Sequence, residues 1–375
     1  MNVPSRGMAN AGLFDSPAAR IALCGAAAMA LVAAPYVVYP VFLMNALCFA
    51  RCASAFNLLI GYVGLLSFGH AAFFGFSAYV TAYTLKAWHV PTEVGLLAGV
   101  AAAAAMGLVI GALAIRRQGI YFAMITLALA QMVYFFSLQA PAFTGGENGI
   151  QAVPNPPLFG VIDLENDTSM YFVVVGVFLL GFGLIYRAIH SPFGQVLKAI
   201  RENEPRAISL GYHIDRYKLL AFVLSASLAG LAGSTKVLVQ HAAALSDIQW
   251  QQSGEVVLMT LVGGMGTILG PVVGAFVIVA MQQYLQVGEW VLRRACEDIR
   301  TWHAQGLPRV PVAVNLAARQ FRQSDLHARI LRIVRAARVE PSLIELEITE
   351  SQLMQDPDHA ITMLRSLSDG GVASG

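Results

Sequence analysis

Long apolar stretches separated by short polar segments dominate the chain up to Tyr284. A hydrocarbon layer of about 30 Å requires about 20 apolar residues in an α-helix, so each nearly uncharged stretch of that length predicts a membrane-spanning helix. The predicted spans are residues 21–41, 43–63, 68–86, 94–115, 119–140, 170–187, 218–238 and 267–286. With a shorter apolar piece near residues 255–264 that is typical of a re-entrant segment, the pattern predicts an all-α polytopic membrane protein of about eight or nine segments.

Beyond Tyr284 the pattern changes to the mixed charge of a soluble protein. Residues 310–316 and 343–350 have the character of β-strands, and residues 324–337 carry apolar side chains at helical spacing. Alternating strands and helices indicate βα units on a parallel sheet. The predicted organisation is a segment 1–20, a transmembrane domain 21–287 and an α/β fragment 288–375.

Positively charged loops predict the orientation, because short loops rich in Lys and Arg stay on the cytoplasmic side. Arg116 and Arg117 form one such loop, and residues 188–217 form another. The stretch between Arg117 and Arg187 contains no Lys or Arg and several acidic residues, which predicts an external loop. Counting helices from these loops places residues 1–20 in the cytoplasm and predicts a multi-pass protein of the bacterial inner membrane.

Composition supports a surrounding of membrane lipid, since 57% of the residues are hydrophobic and 12% are charged. Such a chain has too little polar surface to cover a globule in water. No run of Lys and Arg resembles a surface that binds a phosphate backbone, so we expect no nucleic-acid partner. The four cysteines lack the spacing of metal ligands, and we expect no cofactor.

A polar, helix-competent segment interrupts the apolar pattern at residues 191–211. The sequence contains no Gly-x-x-x-x-Gly-Lys-[Ser/Thr] phosphate-binding loop, so it has no ATPase site of this kind. A permease driven by a separate ATPase needs a short cytoplasmic helix on which that ATPase acts. We therefore expect this contact around residues 195–211, and the candidate coupling residues are Glu202, Glu204, Ala207 and Gly211.

Several blocks of sequence resemble the branched-chain amino acid ABC-transporter permeases of the LivM type, over residues 21–288. They are the segment 191–230, residues 57–75, Thr144-Gly145-Gly146 and residues 261–271. The resemblance implies an importer that pairs with a second, related permease, two ATPase subunits and a periplasmic substrate-binding protein. It also implies leucine, isoleucine or valine as the substrate. A permease for urea or short amides has the same architecture and remains an alternative.

The same blocks supply the candidate residues of a substrate path, which are Ser67, Gly69, His70, Thr144, Gly145 and Gly146. An ionisable group at membrane depth, such as His70, is a functional candidate by default, although a packed, hydrogen-bonded structural histidine is the simpler interpretation. Arg51 lies in an apolar segment, where burial at the midplane costs about 3 kcal/mol on insertion scales. We expect Arg51 to snorkel or to mark a local defect rather than to bind substrate.

The tail resembles a second family, the EAL cyclic-di-GMP phosphodiesterases, over residues 288–375. The matching stretches are residues 288–296, 312–316 and 346–351. By this resemblance Asn315 and Glu347 correspond to two metal ligands. Divalent-metal hydrolysis of a phosphodiester needs several oxygen ligands and an activated water, so two ligands form an incomplete, vestigial site.

The remaining active-site residues of that family have no counterpart here, including the glutamate of its naming motif and the Asp-Asp pair that should follow Gly371-Val372. A barrel of eight βα units does not close from two or three. We therefore expect a truncated, partial TIM-barrel-like fragment that is catalytically inactive, and a membrane-anchored cyclic-di-GMP signalling protein is the remaining alternative. Because residues 288–291 fit both families, we interpret the chain as a chimera joined at that tetrapeptide.

Overall fold

The computed structural model describes residues 31–284, 287–306, 310–315, 326–347 and 373–374. The chain divides into two compact units, Met1–Val279 and Ala280–Gly375. Segment 1–20 and most of the first predicted span lie outside the described residues, although residues 31–37 are helical. The domain boundaries at residues 20 and 287 stay predictions.

The long helices up to Tyr284 alternate with short linking elements. Helical turns at Pro141–Thr144, Gly146–Asn148 and Leu245–Asp247 lie in the links. In chain order the helices are α1 (Pro40–Tyr62), α2 (His70–Ala87), α3 (Thr92–Ala114), α4 (Ile120–Gln139), α5 (Asp167–Ile189), α6 (Pro192–Glu202), α7 (Glu204–Ser209), α8 (Ile214–Gln240), α9 (Trp250–Gly263) and α10 (Gly270–Tyr284).

Five helices in the described part of the chain, α1, α3, α4, α5 and α8, have the length and composition to cross a bilayer. Helices α9 and α10 have 14 and 15 residues. At about 1.5 Å per residue they are shorter than a hydrocarbon layer of about 30 Å. The prediction of a helical membrane protein is confirmed, and the total of eight or nine segments remains a prediction.

Helices α1 and α8 form the centre of the first unit. In their most apolar windows 83% and 78% of the residues are buried, against 28–33% in α3, α4 and α5. Helix α8 packs along α1, α2 and α3, and α5 packs along α1. The peripheral helices therefore leave one side for lipid or for another subunit.

Glycines allow α8 to lie very close to its neighbours. A methyl group at Gly233 would overlap the carbonyl oxygen of Phe74 in α2, and one at Gly230 would overlap the side chain of Ala103 in α3. The hydroxyl of Ser77 donates a hydrogen bond to the carbonyl of Gly230 at 2.8 Å. Small residues and hydroxyl bonds of this kind are how helices pack inside a membrane.

Arg51 is buried inside the bundle and does not snorkel, so the first of the two expectations for this residue was wrong. Its side chain is 2% exposed. Nη1 donates to the carbonyl of Val177 at 2.7 Å, and Nη2 donates to the hydroxyl of Thr235 at 2.6 Å and to the carbonyl of Leu231 at 2.5 Å. The guanidinium carries several donors in a fixed fork, so one side chain connects α1 to both α5 and α8.

Residues 145–166 cover one end of the bundle, which we call the capped end. The ammonium group of Lys86 donates to the carbonyl of Gln151 at 2.6 Å, and the amide of Asn155 donates to the carbonyl of Leu238 at 2.8 Å. These bonds fix the segment over the ends of α2 and α8. Helices α6 and α7 lie at the opposite end.

The second unit contains a small parallel sheet. Strands β1 (Val312–Asn315), β2 (Ile344–Glu347) and β3 (Ala373–Ser374) are adjacent in that order, and both pairs are parallel. Helix α11 (Val287–Ala304) and helix α12 (Leu326–Ala336) supply apolar side chains to a core with the sheet. The predicted order of strands and helices is present in the described residues, and the likeness to part of a barrel remains a prediction. Residues of this core include Leu292, Cys296, Ile299, Val314, Ile330, Val334, Ile344 and Leu346.

Candidate functional site

The elbow, residues 191–211, contains two short helices whose starts are both fixed by side-chain caps. The hydroxyl of Ser191 accepts a hydrogen bond from the amide of Gly194 at 3.4 Å, and Pro192 follows at the first position of α6. The side-chain oxygen of Asn203 accepts from the amide of Arg206 at 3.0 Å. Such caps stabilise a helix start by about 1 kcal/mol each, so the sequence itself sets where α6 and α7 begin.

The end of α7 is fixed by Gly211, which has a φ of +86°. Its amide donates to the carbonyl of Ile208 at 2.9 Å, and the amide of Tyr212 donates to the carbonyl of Ala207 at 3.2 Å. This pair of bonds is a Schellman motif, in which glycine is favoured because the left-handed conformation strains other residues. The candidate residue Gly211 therefore determines how α7 ends and how the chain enters α8.

Glu204 connects the elbow to two long helices. Both of its carboxylate oxygens accept from the ammonium group of Lys218 in α8, at 2.8 Å each. One of them also accepts from the side-chain amide of Gln118, which precedes α4, at 2.8 Å. Lys218 is 3% exposed, and this carboxylate is its ion-pair partner. The candidate Ala207 is also buried, against Ile200 and Ile214.

Arg201 connects the elbow to α1 at a cleft of about 630 Å³. Its guanidinium donates to the carbonyl of Gly61 near the end of α1. The candidate Glu202 is exposed and lines the same cleft, together with Lys198 and Thr267.

Asn57 of α1 holds the loop between α9 and α10 at the edge of this cleft. Its side-chain amide donates to the carbonyl of Thr267 at 2.7 Å, and its oxygen accepts from the amide of Gly266 at 2.9 Å. The elbow, α1 and this loop therefore form one hydrogen-bonded assembly.

Two large apolar side chains project from the elbow. Ile208 is 59% exposed and Leu210 is 67% exposed, next to charged side chains such as that of Arg206. Exposed apolar residues that are rimmed by polar ones are typical of protein-binding surfaces.

Three of the predicted substrate-path residues lie together at the start of α2. The hydroxyl of Ser67 accepts from the amide of Gly69 at 3.2 Å, and Nε2 of His70 lies 2.8 Å from the hydroxyl of Ser225. The ring of His70 is fully buried and meets that of Phe56 edge-on at 5.0 Å. This geometry is that of a packed, hydrogen-bonded histidine.

The other three path candidates form a separate turn after α4. The hydroxyl of Thr144 donates to the carbonyls of Ser137 and Ala140 at 2.5 and 2.9 Å. The amide of Gly146 donates to the hydroxyl of Thr144 at 3.2 Å, and Gly145 has a φ of +76°. Among the described residues, no hydrogen bond connects this turn to the group around His70.

Sequence reasoning missed a buried ion pair between Lys236 of α8 and Asp247. Their side chains are 8% and 4% exposed and form a direct hydrogen bond. The ammonium group also lies 5.6 Å from the centres of the rings of Phe49 and Phe74. The available signal was a lysine near the end of the predicted span 218–238, because ionisable residues at membrane depth are rare.

The predicted metal ligands of the second unit lie on neighbouring strands. Asn315 and Glu347 are directly paired in the register of β1 and β2. Their side chains lie outside the described part of the structure. Within the described ranges no group of three or more His, Cys, Asp or Glu side chains is arranged to hold a metal ion. One amide and one carboxylate are too few ligands for Mg²⁺ or Ca²⁺ without further donors.

The tail is similar to known signalling proteins. The sequence model of the EAL domain matches residues 253–373. The bifunctional diguanylate cyclase/cyclic di-GMP phosphodiesterase MucR of Pseudomonas aeruginosa is 40% identical over 88 residues, which are 24% of this chain and 13% of that protein. A solved structure titled "PaMucR Phosphodiesterase, c-di-GMP complex" is 38% identical, covers 27% of this chain and 42% of that chain, and has a TM-score of 0.25.

The larger part of the chain is similar to transport proteins. The high-affinity branched-chain amino acid transport system permease protein LivM of Escherichia coli (strain K12) is 29% identical over 282 residues, which are 67% of this chain. The chain spans 65% of the length of that relative. The sequence model described as "Branched-chain amino acid transport system / permease component" matches residues 39–304, which is more than half of the chain. The chain therefore belongs to the branched-chain amino acid transport system permease family.

Proposed function

We propose that the chain is a membrane-spanning permease subunit of an ABC importer for branched-chain amino acids, driven by separate ATPase subunits that bind the elbow. The observation that carries this proposal, beyond family membership, is the construction of the elbow. It exposes apolar side chains at Ile208 and Leu210 and is bonded through Glu204 to the helices that form the bundle. A second, related permease and a periplasmic binding protein complete the proposed importer in the bacterial inner membrane.

Force on the elbow has direct routes into the bundle. Movement of α7 is passed to α8 through the bond between Glu204 and Lys218, and to the start of α4 through Gln118. Arg201 passes movement of α6 to the end of α1. Because packed helices move as rigid bodies, closure of the ATPases would rock these helices around a central path and alternate its access.

The test is uptake of labelled leucine by vesicles that contain the chain with its partner subunits. We expect ATP-dependent uptake that unlabelled isoleucine and valine reduce and that urea leaves unchanged. Competition by urea and not by isoleucine would favour the urea and short-amide alternative.

Gly211→Ala is expected to lower leucine uptake about threefold to fivefold, because an L-residue at positive φ costs about 1 kcal/mol. No atom lies within 4 Å of the methyl group that this change adds, so backbone strain is the whole effect. Gly211→Asn is the matched control, since asparagine tolerates this conformation better, and it should retain most of the uptake. Equal uptake by both variants and the natural chain would show that the end of α7 does not matter for coupling.

We propose that the EAL-like part is catalytically inactive, because within its described residues no group of three or more His, Cys, Asp or Glu side chains is arranged to hold the metal ion that a divalent-metal hydrolase requires. The alternative of a cyclic-di-GMP signalling enzyme predicts hydrolysis of that nucleotide by the purified chain with Mg²⁺. Our proposal predicts none.

A further inference from the structure

Two helices begin inside the bundle and meet there. The amide of Ala71, in the first turn of α2, donates to the hydroxyl of Ser253, in the first turn of α9, at 2.9 Å. The ring of Phe74 stacks on that of Phe49 at 5.6 Å, and Phe49 lies near the middle of α1. Both helix starts are therefore level with the central part of a helix that spans the bilayer. Interrupted helices at this depth are how many membrane transporters form their substrate sites.

The ion pair of Lys236 and Asp247 lies beside these helix starts. A methyl group at Gly75 of α2 would come within 2.8 Å of the main chain of Asp247, so α2 lies directly against this carboxylate segment. The rings of Phe49 and Phe74 lie beside the ammonium group of Lys236, each with its centre 5.6 Å away. A buried ion pair is weak evidence of a stabilising role, because a protein with apolar residues of similar volume in its place is often equally stable. Ionisable groups at membrane depth therefore point to a function.

The hydroxyl of Tyr79 is a second, independent observation at the same place. Tyr79 lies one helical turn after Gly75, on the face of α2 that covers the Asp247 segment. Its side chain is fully buried, and its hydroxyl has no hydrogen-bond partner among the described residues. A buried hydroxyl is normally bonded, so this one offers a donor for a ligand.

We propose that Lys236, Asp247 and Tyr79 form a binding site within the membrane for the two charges of an amino acid. Lys236 and Tyr79 would donate to the substrate carboxylate, Asp247 would accept from its ammonium group, and the rings of Phe49 and Phe74 would contact its apolar side chain. The two protein charges bond each other directly, and the substrate would replace this bond with one to each of its own charges. This inference rests on the proposed function, and it favours an amino acid over urea, because urea is uncharged.

The test compares variants in the complete importer, in vesicles, with leucine as the probe. Tyr79→Phe is expected to raise the KM for leucine about threefold to tenfold, as loss of one hydrogen bond does, with unchanged assembly. Lys236→Met/Asp247→Asn, which removes both charges, is expected to lower uptake more than about tenfold. Glu165→Gln is the control and should leave the KM unchanged, since Glu165 is an exposed residue of the segment at the capped end.

The two interpretations of this cluster predict opposite results. If the pair and the tyrosine were only structural, Tyr79→Phe would leave the KM unchanged or increase thermal stability, because it removes an unsatisfied group. A KM for leucine in Tyr79→Phe equal to that of the natural chain would overturn the inference. If the double variant does not assemble, the result for Tyr79→Phe is sufficient to decide. A natural chain that imports no leucine would instead overturn the proposed function, and this inference with it.

Discussion

Glu204→Gln is expected to lower leucine uptake by more than about tenfold while the chain still inserts into the membrane. The change removes the negative charge that accepts two hydrogen bonds from Lys218. Lys218 is 3% exposed and Glu204 is 24% exposed, so loss of this partly buried ion pair costs about 1–3 kcal/mol, between the values for exposed and for fully buried pairs. The elbow would then separate from α8, so movement of the ATPases would no longer reach the bundle. Uptake and ATP hydrolysis are measured together in the same vesicles, and hydrolysis should continue without uptake.

Asp215→Asn is the matched control for this change. Asp215 is an exposed acidic residue in the first turn of α8, close in sequence to Lys218. Surface charges of this kind contribute about 1 kcal/mol or less, so uptake should stay within about twofold of the natural chain. A Glu204→Gln variant that behaves like Asp215→Asn would contradict the proposed route of force.

Gly233→Ala is expected to prevent most of the protein molecules from folding in the membrane. The added methyl group would overlap the carbonyl oxygen of Phe74, which belongs to a helix backbone and has little freedom to move. Separation of α2 from α8 would break the packing of the central helix, and overpacking of this kind costs about 1–3 kcal/mol or more. The yield of monodisperse protein and its melting temperature measure this effect.

Gly176→Ala is the control for the same chemical change. Gly176 lies in α5, and no atom lies within 4 Å of the added methyl group. Alanine is favoured over glycine in a helix by about 1 kcal/mol, so stability should be unchanged or slightly higher. If Gly233→Ala folded as well as Gly176→Ala, the close approach of α2 and α8 would be wrong.

The lengths of the apolar stretches predicted the long helices well. The stretches 94–115 and 119–140 correspond to Thr92–Ala114 and Ile120–Gln139. The start of α9 was less visible, because Gln251 and Gln252 lower the hydropathy of its first turn and the apolar piece was placed at 255–264. Hydropathy measures transfer into lipid, and it does not distinguish a polar residue that faces protein from one that ends a helix.

The partners of buried charges were outside the reach of sequence reasoning. Arg51 is bonded to helices α5 and α8, which are more than 120 residues away along the chain. Lys236 finds Asp247 only because the chain turns back into the bundle after α8. The sequence of one helix indicates that a buried charge needs a partner. Only the packing of all the helices determines which residue is that partner.

The sequence predicts a polar, helix-competent segment at the elbow, and the structure has two short helices there, α6 and α7. Their caps at Ser191 and Asn203 and the glycine end at Gly211 are local signals. The sequence does not show which residues of the elbow face the bundle. Glu204, one of the candidate coupling residues, bonds Lys218 and Gln118 within the chain. Ile208 and Leu210 are the exposed residues, and they were not candidates. Whether Glu202, Glu204, Ala207 and Gly211 couple to an ATPase stays a prediction.

Co-purification with the ATPase subunits tests the central claim most directly. The chain would be expressed with its ATPase partners, extracted in mild detergent and captured by a tag, and the bound ATPase quantified. The natural chain should retain the ATPase, and Ile208→Asp/Leu210→Asp should lose it while remaining folded, because both changes place charges on the exposed apolar surface of the elbow. Equal retention by that variant, or no ATPase bound to the natural chain, would contradict the claim that a separate ATPase drives this permease through its elbow.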